Sequence, residues 1–229
     1  MLEALIFDVD GTLAETEDLH RRAFNTAFAD AGLSWCWSRD DYRALLKTTG
    51  GKERITRFAA EQGLDPAQVP VADLHRAKTA AYVALMAQGE IALRPGIAEL
   101  ITQAHAAGLR LAIATTTTPA NVEALCRAVF GKPMAAVFDV IAAGDEVAAK
   151  KPAPDVYLLA LARLGVAADR AVALEDSRNG LRSAQAAGLA CVVSPGLYTK
   201  DEDFSGAARQ VAEFSDLGGL VGVRQCLSR

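Results

Sequence analysis

Three short apolar runs, each cut off by acids or hydroxyls, constrain the fold of this chain more than any other feature. They are Ala4-Leu5-Ile6-Phe7 before Asp8, Leu111-Ala112-Ile113-Ala114 before Thr115, and Ala171-Val172-Ala173-Leu174 before Glu175 and Asp176. Each is strand-sized and apolar at consecutive positions, as a strand buried on both faces requires. Strands are expected at 110–114, 138–142, 171–175 and 191–194, and helices at 96–107, 119–129, 153–164 and 179–187. Strand and helix signals in alternation imply an α/β fold, a doubly wound parallel sheet. Such sheets bind ligands beyond the carboxyl ends of their strands, which is where these acids and hydroxyls fall.

The stretch behind the first strand breaks the alternation. Residues 15–31, 39–47, 51–62 and 71–88 read as helices, the first with Leu19, Ala23, Phe24, Ala27, Phe28 and Ala31 at helical spacing and Gly32 as its stop. The expected organisation is an α/β core of residues 1–13 and 93–229, interrupted by an all-helical cap of residues 14–92.

Asp8 and Asp10 stand two residues apart at the first strand's tip, so they share a side if the strand stays extended. Gly11-Thr12 ends the extension and lets backbone approach a ligand. Two crowded carboxylates are costly unless a cation or phosphate chemistry uses them. Thr115 to Thr118 before Pro119 suit a helix N-cap, and a helix N-terminus is itself an anion site. Lys150 and Lys151 are adjacent, and position alone does not choose between them. Residues 50–54, Gly-Gly-Lys-Glu-Arg, open a helix: glycines admit a phosphate, the helix start favours anions and Lys52 adds charge. On the next helix His75, Lys78 and Tyr82 share a face, with Leu74, Ala77, Ala81 and Leu85 expected as the buried stripe. Asp139, Asp145 and Asp155 are assigned no chemistry.

Net charge −4 and a pI of about 5.5, with no long basic run, argue against nucleic acid as a partner. No apolar stretch approaches the ~20 residues that span a bilayer, so no membrane partner is expected. Residues 1–13 lack the form of a signal or transit peptide. Cys36, Cys126, Cys191 and Cys226 show no metal spacing and read as reduced thiols. A cytoplasmic protein, or a mature one in an organellar stroma, is expected.

Phe7-Asp8-Val9-Asp10-Gly11-Thr12-Leu13, Ala114-Thr115-Thr116, Lys151-Pro152 and Glu175-Asp176 occur in the order of the motifs of the haloacid dehalogenase superfamily. Over nearly its whole length the chain resembles the superfamily's phosphatases and phosphomutases with a helical cap. The resemblance implies Asp8 as nucleophile, forming an aspartyl-phosphate, and Asp10 as acid and base. That second role leads us to expect a raised Asp10 carboxyl. It also implies Mg2+ held by Asp8, the Asp10 carbonyl and Asp176, with Thr115, the Thr116 amide and Lys151 on the phosphoryl oxygens. The family pattern favours Lys151 over Lys150. Glu175 would reach the metal through water or orient Lys151.

The resemblance further implies that Lys52 and Lys78 grip the phosphate that is not transferred. Thr16, Glu17 and His20 would contact sugar hydroxyls or gate the proton donor. Gly50, Gly51, His75, Thr116 and Asn121 complete the expected substrate-binding set. Asp8 through Glu17, Thr49-Gly50-Gly51-Lys52-Glu53 and Ala114-Thr115-Thr116-Thr117 look most like the branch associated with the Calvin cycle carboxylase. That branch implies removal of the C1 phosphate of xylulose-1,5-bisphosphate, a Rubisco inhibitor, giving xylulose 5-phosphate. The partner is then a small sugar bisphosphate, with a functional link to Rubisco and no stable complex. A β-phosphoglucomutase, a phosphoglycolate phosphatase and a catalytically silent phosphosugar-binding relative are the alternatives.

Overall fold

The computed structural model describes residues 1–89 and 91–227. Its strands are β1 (Ala4–Phe7), β2 (Arg110–Ala114), β3 (Val140–Ala142), β4 (Ala171–Glu175), β5 (Ala190–Val193) and β6 (Arg209–Gln210). They form one sheet in the order β3-β2-β1-β4-β5-β6, and every pairing is parallel. The helices are α1 (Glu17–Asp30), α2 (Arg39–Leu45), α3 (Gly51–Glu61), α4 (Val71–Met86), α5 (Ile97–Ala106), α6 (Pro119–Phe130), α7 (Asp155–Leu164), α8 (Arg178–Ala186) and α9 (Gly219–Arg224).

The strand sequences alternate by size, and the two sheet faces differ accordingly. Leu5, Phe7, Leu111, Ile113, Val172 and Leu174 point into a cluster with α5, α6 and α9. Ala4, Ile6, Ala112, Ala114, Ala171 and Ala173 point the other way, where α7 and α8 pack. Burying both faces explains why these strands are apolar at every position.

β1 lies between β2 and β4, with Phe7 paired to both Ile113 and Leu174. The strand order reverses there, so the carboxyl end of β1 is the sheet's switch point. Asp8 leaves the sheet at that point, its backbone N–H donating to Leu174 O at 3.0 Å.

No strand interrupts α1 to α4. Phe24 and Phe28 of α1, Trp37 from the loop before α2, Tyr42 and Leu45 of α2, Ile55 of α3 and Leu74 of α4 share an apolar cluster of their own, joined by Tyr198. The buried line on α4 is Leu74, Lys78, Tyr82 and Met86, and Ala77 is exposed. This corrects the expected stripe: the i, i+4 line through Leu74 faces α1, and it carries a lysine.

Two further differences stand out. The third strand starts at Val140 rather than 138, because Asp139 turns its carboxylate to the Leu111 N–H at 2.8 Å. The Gly-rich stretch 217–222, where no helix is expected from sequence, contains the start of α9. A Cβ at Gly219 would meet the Gln103 side chain of α5, and one at Gly222 would meet Leu217 O, so the glycines allow close packing.

Candidate active site

The carboxyl ends of β1, β2 and β4 and the Lys151 loop converge. Lys151 Nζ donates to Asp8 Oδ1 at 2.7 Å and to Glu175 Oε1 at 2.6 Å. Lys150 turns away to Gly144 O and Asp145. The structure thus separates the two lysines that sequence position left open. Burial raises the Asp8 carboxyl; Lys151 opposes this, while Glu175 and Asp10 add to it. Asp176 is likewise raised, by burial and then by Asp8 and Glu175.

Oxygens of Asp8, Glu175 and Asp176 lie within 4.8 Å of one another, all three residues buried. When all three acids are ionised against the one ammonium, two negative charges remain, which a divalent cation would balance. An all-oxygen donor set of this kind suits magnesium. The backbone makes room for it. A Cβ at Gly11 (φ +84°) or at Gly196 would run into the Asp176 carboxylate. Thr199 O–H donates to Asp176 O at 2.7 Å, tying the loop after β5 to the same acid.

The four-threonine run divides its work. Thr115 and Thr116 line the cavity. Thr115 Oγ1 accepts from Thr117 N–H at 3.2 Å, and Thr118 caps α6 through the Asn121 N–H. Asn121 Nδ2 donates to Thr117 Oγ1 at 2.8 Å, while its buried Oδ1 has no partner.

Asp10 heads a second group. Its Oδ1 accepts from the Thr16 hydroxyl and lies 2.8 Å from His20 Nε2, whose ring stacks on Tyr82 at 4.1 Å. His20 Nδ1 lies 2.6 Å from Lys78 Nζ. Burial lowers His20 below its ordinary 6.5, so the imidazole is neutral at pH 7. It donates from Nε2 to Asp10 and accepts from Lys78 at Nδ1. Burial alone would raise Asp10, but His20, Thr16 and the Lys78 charge behind them hold it well below the usual carboxylate range. The expected raised Asp10 is corrected on this point: its donors outweigh its burial.

Lys78 differs from expectation as well. It is 4% exposed, its Nζ sits 4.9 Å from the Phe24 ring centre and 5.4 Å from that of Tyr82, and one of its three donors goes to His20 Nδ1. Lys52 is not a wall residue of the two adjoining cavities at the site. It forms an ion pair with Asp145, a residue given no chemistry from sequence. The cation that lines both cavities is Arg54, which sequence reading passed over. Residues 52 and 54 lie about 200° apart on a helix, and Ile55 and Ala59 mark the buried side of α3. Lys52 lies nearer than Arg54 to that buried side, about 40° from its middle against about 120°, so helical phase gave no signal for Arg54.

Arg54 Nη1 donates to Tyr42 Oη at 2.8 Å, and Tyr42 O–H donates to Glu17 Oε2 at 2.7 Å. Glu17, Gly50, Gly51, His75, Lys78, Thr116 and Asn121 line the second cavity with Asp10 and His20. Asp10, Glu17, Arg54 and Thr116 border both cavities, which makes them one two-ended site. Tyr157, also missed from sequence, donates to Glu175 from below the site.

The haloacid dehalogenase-like hydrolase family matches residues 2–188. Protein CbbY of Cereibacter sphaeroides is 66% identical over 223 residues, 97% of each chain. The plasmid-encoded Protein CbbY of Cupriavidus necator is 46% identical, over 94% of this chain and 87% of its own. The crystal structure of a mutant CbbY from Rhodobacter sphaeroides in complex with xylulose-1,5-bisphosphate matches 97% of this chain and 99% of its own, with a TM-score of 0.94 at 65% identity. A β-phosphoglucomutase of Clostridium difficile has the same fold, with a TM-score of 0.84 at 19% identity. With its parallel six-stranded sheet and the acids gathered at the switch point, this chain belongs to the haloacid dehalogenase-like hydrolases and, within them, to the CbbY branch of phosphatases.

Proposed function

We propose that the chain is a magnesium-dependent phosphatase that removes the C1 phosphate of xylulose-1,5-bisphosphate through an aspartyl-phosphate on Asp8, leaving xylulose 5-phosphate. The carrying observation is the two-ended cavity. Asp8, Thr115 and Lys151 stand at one end, Gly50 and Gly51 at the other, with Asp10, Glu17, Arg54 and Thr116 shared. The sugar-bisphosphate complex of a 65% identical CbbY supports the choice of substrate. Helices α1 to α4 act as a cap of residues 14–92 on a core of residues 1–13 and 93–229. Asn179 Nδ2 to Thr49 Oγ1 at 3.1 Å and Tyr198 O–H to Asp18 at 3.2 Å join the two in this closed form.

An Asp8 carboxylate oxygen bonds to phosphorus as the bond from phosphorus to the sugar oxygen breaks, and Asp10 delivers a proton to that oxygen. Water then attacks phosphorus, Asp10 takes its proton, and Asp8 leaves as a carboxylate with inorganic phosphate released. Magnesium held by Asp8, Asp176 and the Asp10 carbonyl would offset the charge of the phosphoryl group. Thr115 and the third N–H of Lys151 bind phosphoryl oxygens. Lys78 and His20 stand behind Asp10 as its proton supply, and Arg54 replaces Lys52 as the grip on the distal phosphate. Glu17, held by Tyr42, and Asn121 Oδ1 accept from sugar hydroxyls. The role that follows is removal of a Rubisco inhibitor in the cytoplasm or an organellar stroma, with no stable complex with Rubisco.

The test is the initial rate of phosphate release with magnesium and with excess chelator, using Asp8→Asn as control. The panel holds xylulose-1,5-bisphosphate, ribulose-1,5-bisphosphate, phosphoglycolate and β-glucose-1-phosphate. Magnesium-dependent release that prefers the xylulose compound is expected. Turnover of phosphoglycolate alone would remove the bisphosphate reading, and isomerisation of glucose-1-phosphate without release would make the chain a mutase.

A further inference from the structure

Tyr157 lines neither cavity, yet its hydroxyl is joined to the centre by one atom. Tyr157 Oη donates to Glu175 Oε1 at 2.6 Å, and that same oxygen accepts from Lys151 Nζ at 2.6 Å. Lys151 Nζ also lies 4.9 Å from the centre of the Tyr157 ring. Tyr157 and Glu175 are both 0% exposed. The other oxygen, Oε2, accepts only a long 3.3 Å bond from the Asp176 N–H. Gly180 of α8 stands where a Cβ would collide with the carboxylate, so Glu175 is enclosed on that side too.

The geometry at Lys151 makes this arrangement consequential. An ammonium has three N–H donors. Two are spent on Asp8 Oδ1 and Glu175 Oε1, so these acceptors set where the third points. Asp8 is the reacting group and changes its bonding in the reaction. Glu175 Oε1 is therefore the acceptor that holds Lys151 throughout, and its own place depends on the Tyr157 hydroxyl. A buried carboxylate oxygen that loses one of its two strong donors is no longer held in place, and Lys151, bonded to it, shifts with it.

We propose that Tyr157 is a positioning residue of the phosphoryl-transfer reaction, fixing Glu175 Oε1 so that Lys151 is aimed at the phosphoryl site beside Asp8. The inference rests on the phosphatase reading above. Tyr157→Phe keeps the ring and its packing and removes a single oxygen. In the magnesium-loaded enzyme kcat should fall about tenfold, with KM for the bisphosphate within about twofold. Placed in Glu175→Gln, the same substitution should change kcat less than about twofold, because its route is already cut. An equal loss in both backgrounds, or an unchanged kcat in Tyr157→Phe alone, overturns the proposal.

A crystal structure of Tyr157→Phe supplies a readout that needs neither turnover nor the Glu175 variant. Lys151 Nζ should turn from its 2.7 Å contact with Asp8 Oδ1. Unmoved Glu175 and Lys151 side chains overturn the proposal. If the wild-type protein releases no phosphate from any substrate, the phosphatase reading falls, and the displacement of Lys151 still decides whether Tyr157 acts through Glu175.

Discussion

A lysine held almost wholly out of water favours its neutral form, and burial brings Lys78 down from 10.5 to about 7, with Asp10 opposing and Arg54 adding to the fall. The group's contribution to stability is therefore present above 10.5 and is lost as pH falls through about 7. Lys78→Met removes the ionisation and keeps the stem. Relative to that variant, the wild type should gain stability as pH rises from about 7 to about 10.5, on the order of 5 kcal/mol across the window. Urea unfolding at the two ends measures it. In turnover the same variant should lose about 10- to 100-fold in kcat, since a donor to the His20 and Asp10 pair is gone. Its ratio of bisphosphate to monophosphate KM should stay near that of the wild type. Arg54→Met should change that ratio instead, raising KM for the bisphosphate by about tenfold or more, and steady-state kinetics on both substrates separates the two cations. The alternation of charge and apolarity along α4 let Lys78 be picked out from sequence, but its direction was hidden. A residue pattern gives a face only up to the neighbour it packs on, and α1 supplied His20 as an acceptor.

At the level of elements, α8 shows packing overruling propensity. Gly180 sits in its first turn, where alanine is ordinarily favoured over glycine by roughly 1 kcal/mol. Here the added methyl would enter the Glu175 carboxylate, which is locked by Lys151 and Tyr157. Gly180→Ala should thus destabilise the fold by about 1–3 kcal/mol and lower kcat, the opposite sign to propensity. Thermal unfolding and phosphate release together check it. The segment before α5 makes a comparable point. Arg94, 5% exposed, donates to Gly11 O, Ser194 O and Oγ, Pro195 O and Glu213 Oε2, while its own N–H donates to Leu13 O. One side chain ties the loop of Asp10 and Gly11 to the end of β5. Arg94→Met should lower stability by about 3 kcal/mol in urea unfolding, because several buried acceptors lose their donor. Nothing in the local sequence around Leu93-Arg94-Pro95 announces this, since its acceptors lie up to 119 residues away.

Across the whole molecule, the acids at the switch point couple metal, pH and stability. Asp8 and Asp176 are raised above their ordinary 3.8 by burial, so their contribution to stability is present below 3.8 and is lost as pH rises through their folded-state values. A divalent cation relieves that crowding and binds better once the carboxylates ionise. Magnesium should therefore raise Tm more at pH 8 than at pH 5, and Asp176→Asn should abolish most of the difference. The Lys52 to Asp145 pair between α3 and the Lys150 loop is largely exposed, and such pairs are worth about 1 kcal/mol or less. Lys52→Ala should lower activity on bisphosphate and monophosphate alike, by less than about fivefold, as a contact of cap closure does.

The sheet, its helices and the gathering of Asp8, Thr115, Lys151 and Asp176 at one site were legible in the chain because each signal is local. A buried parallel strand must be apolar at every step, and a ligand-binding strand end must then turn abruptly to acids or hydroxyls. The prominence of Arg54 over Lys52 and the lowering rather than raising of Asp10 lay outside that local code. So did the roles of Tyr42, Tyr157 and Arg94. Each depends on which side chains from distant segments share a few ångströms of buried space, where one donor more or less reverses the sign of an electrostatic preference. The order of residues determined what the site is made of, and packing decided which way each of its charges points.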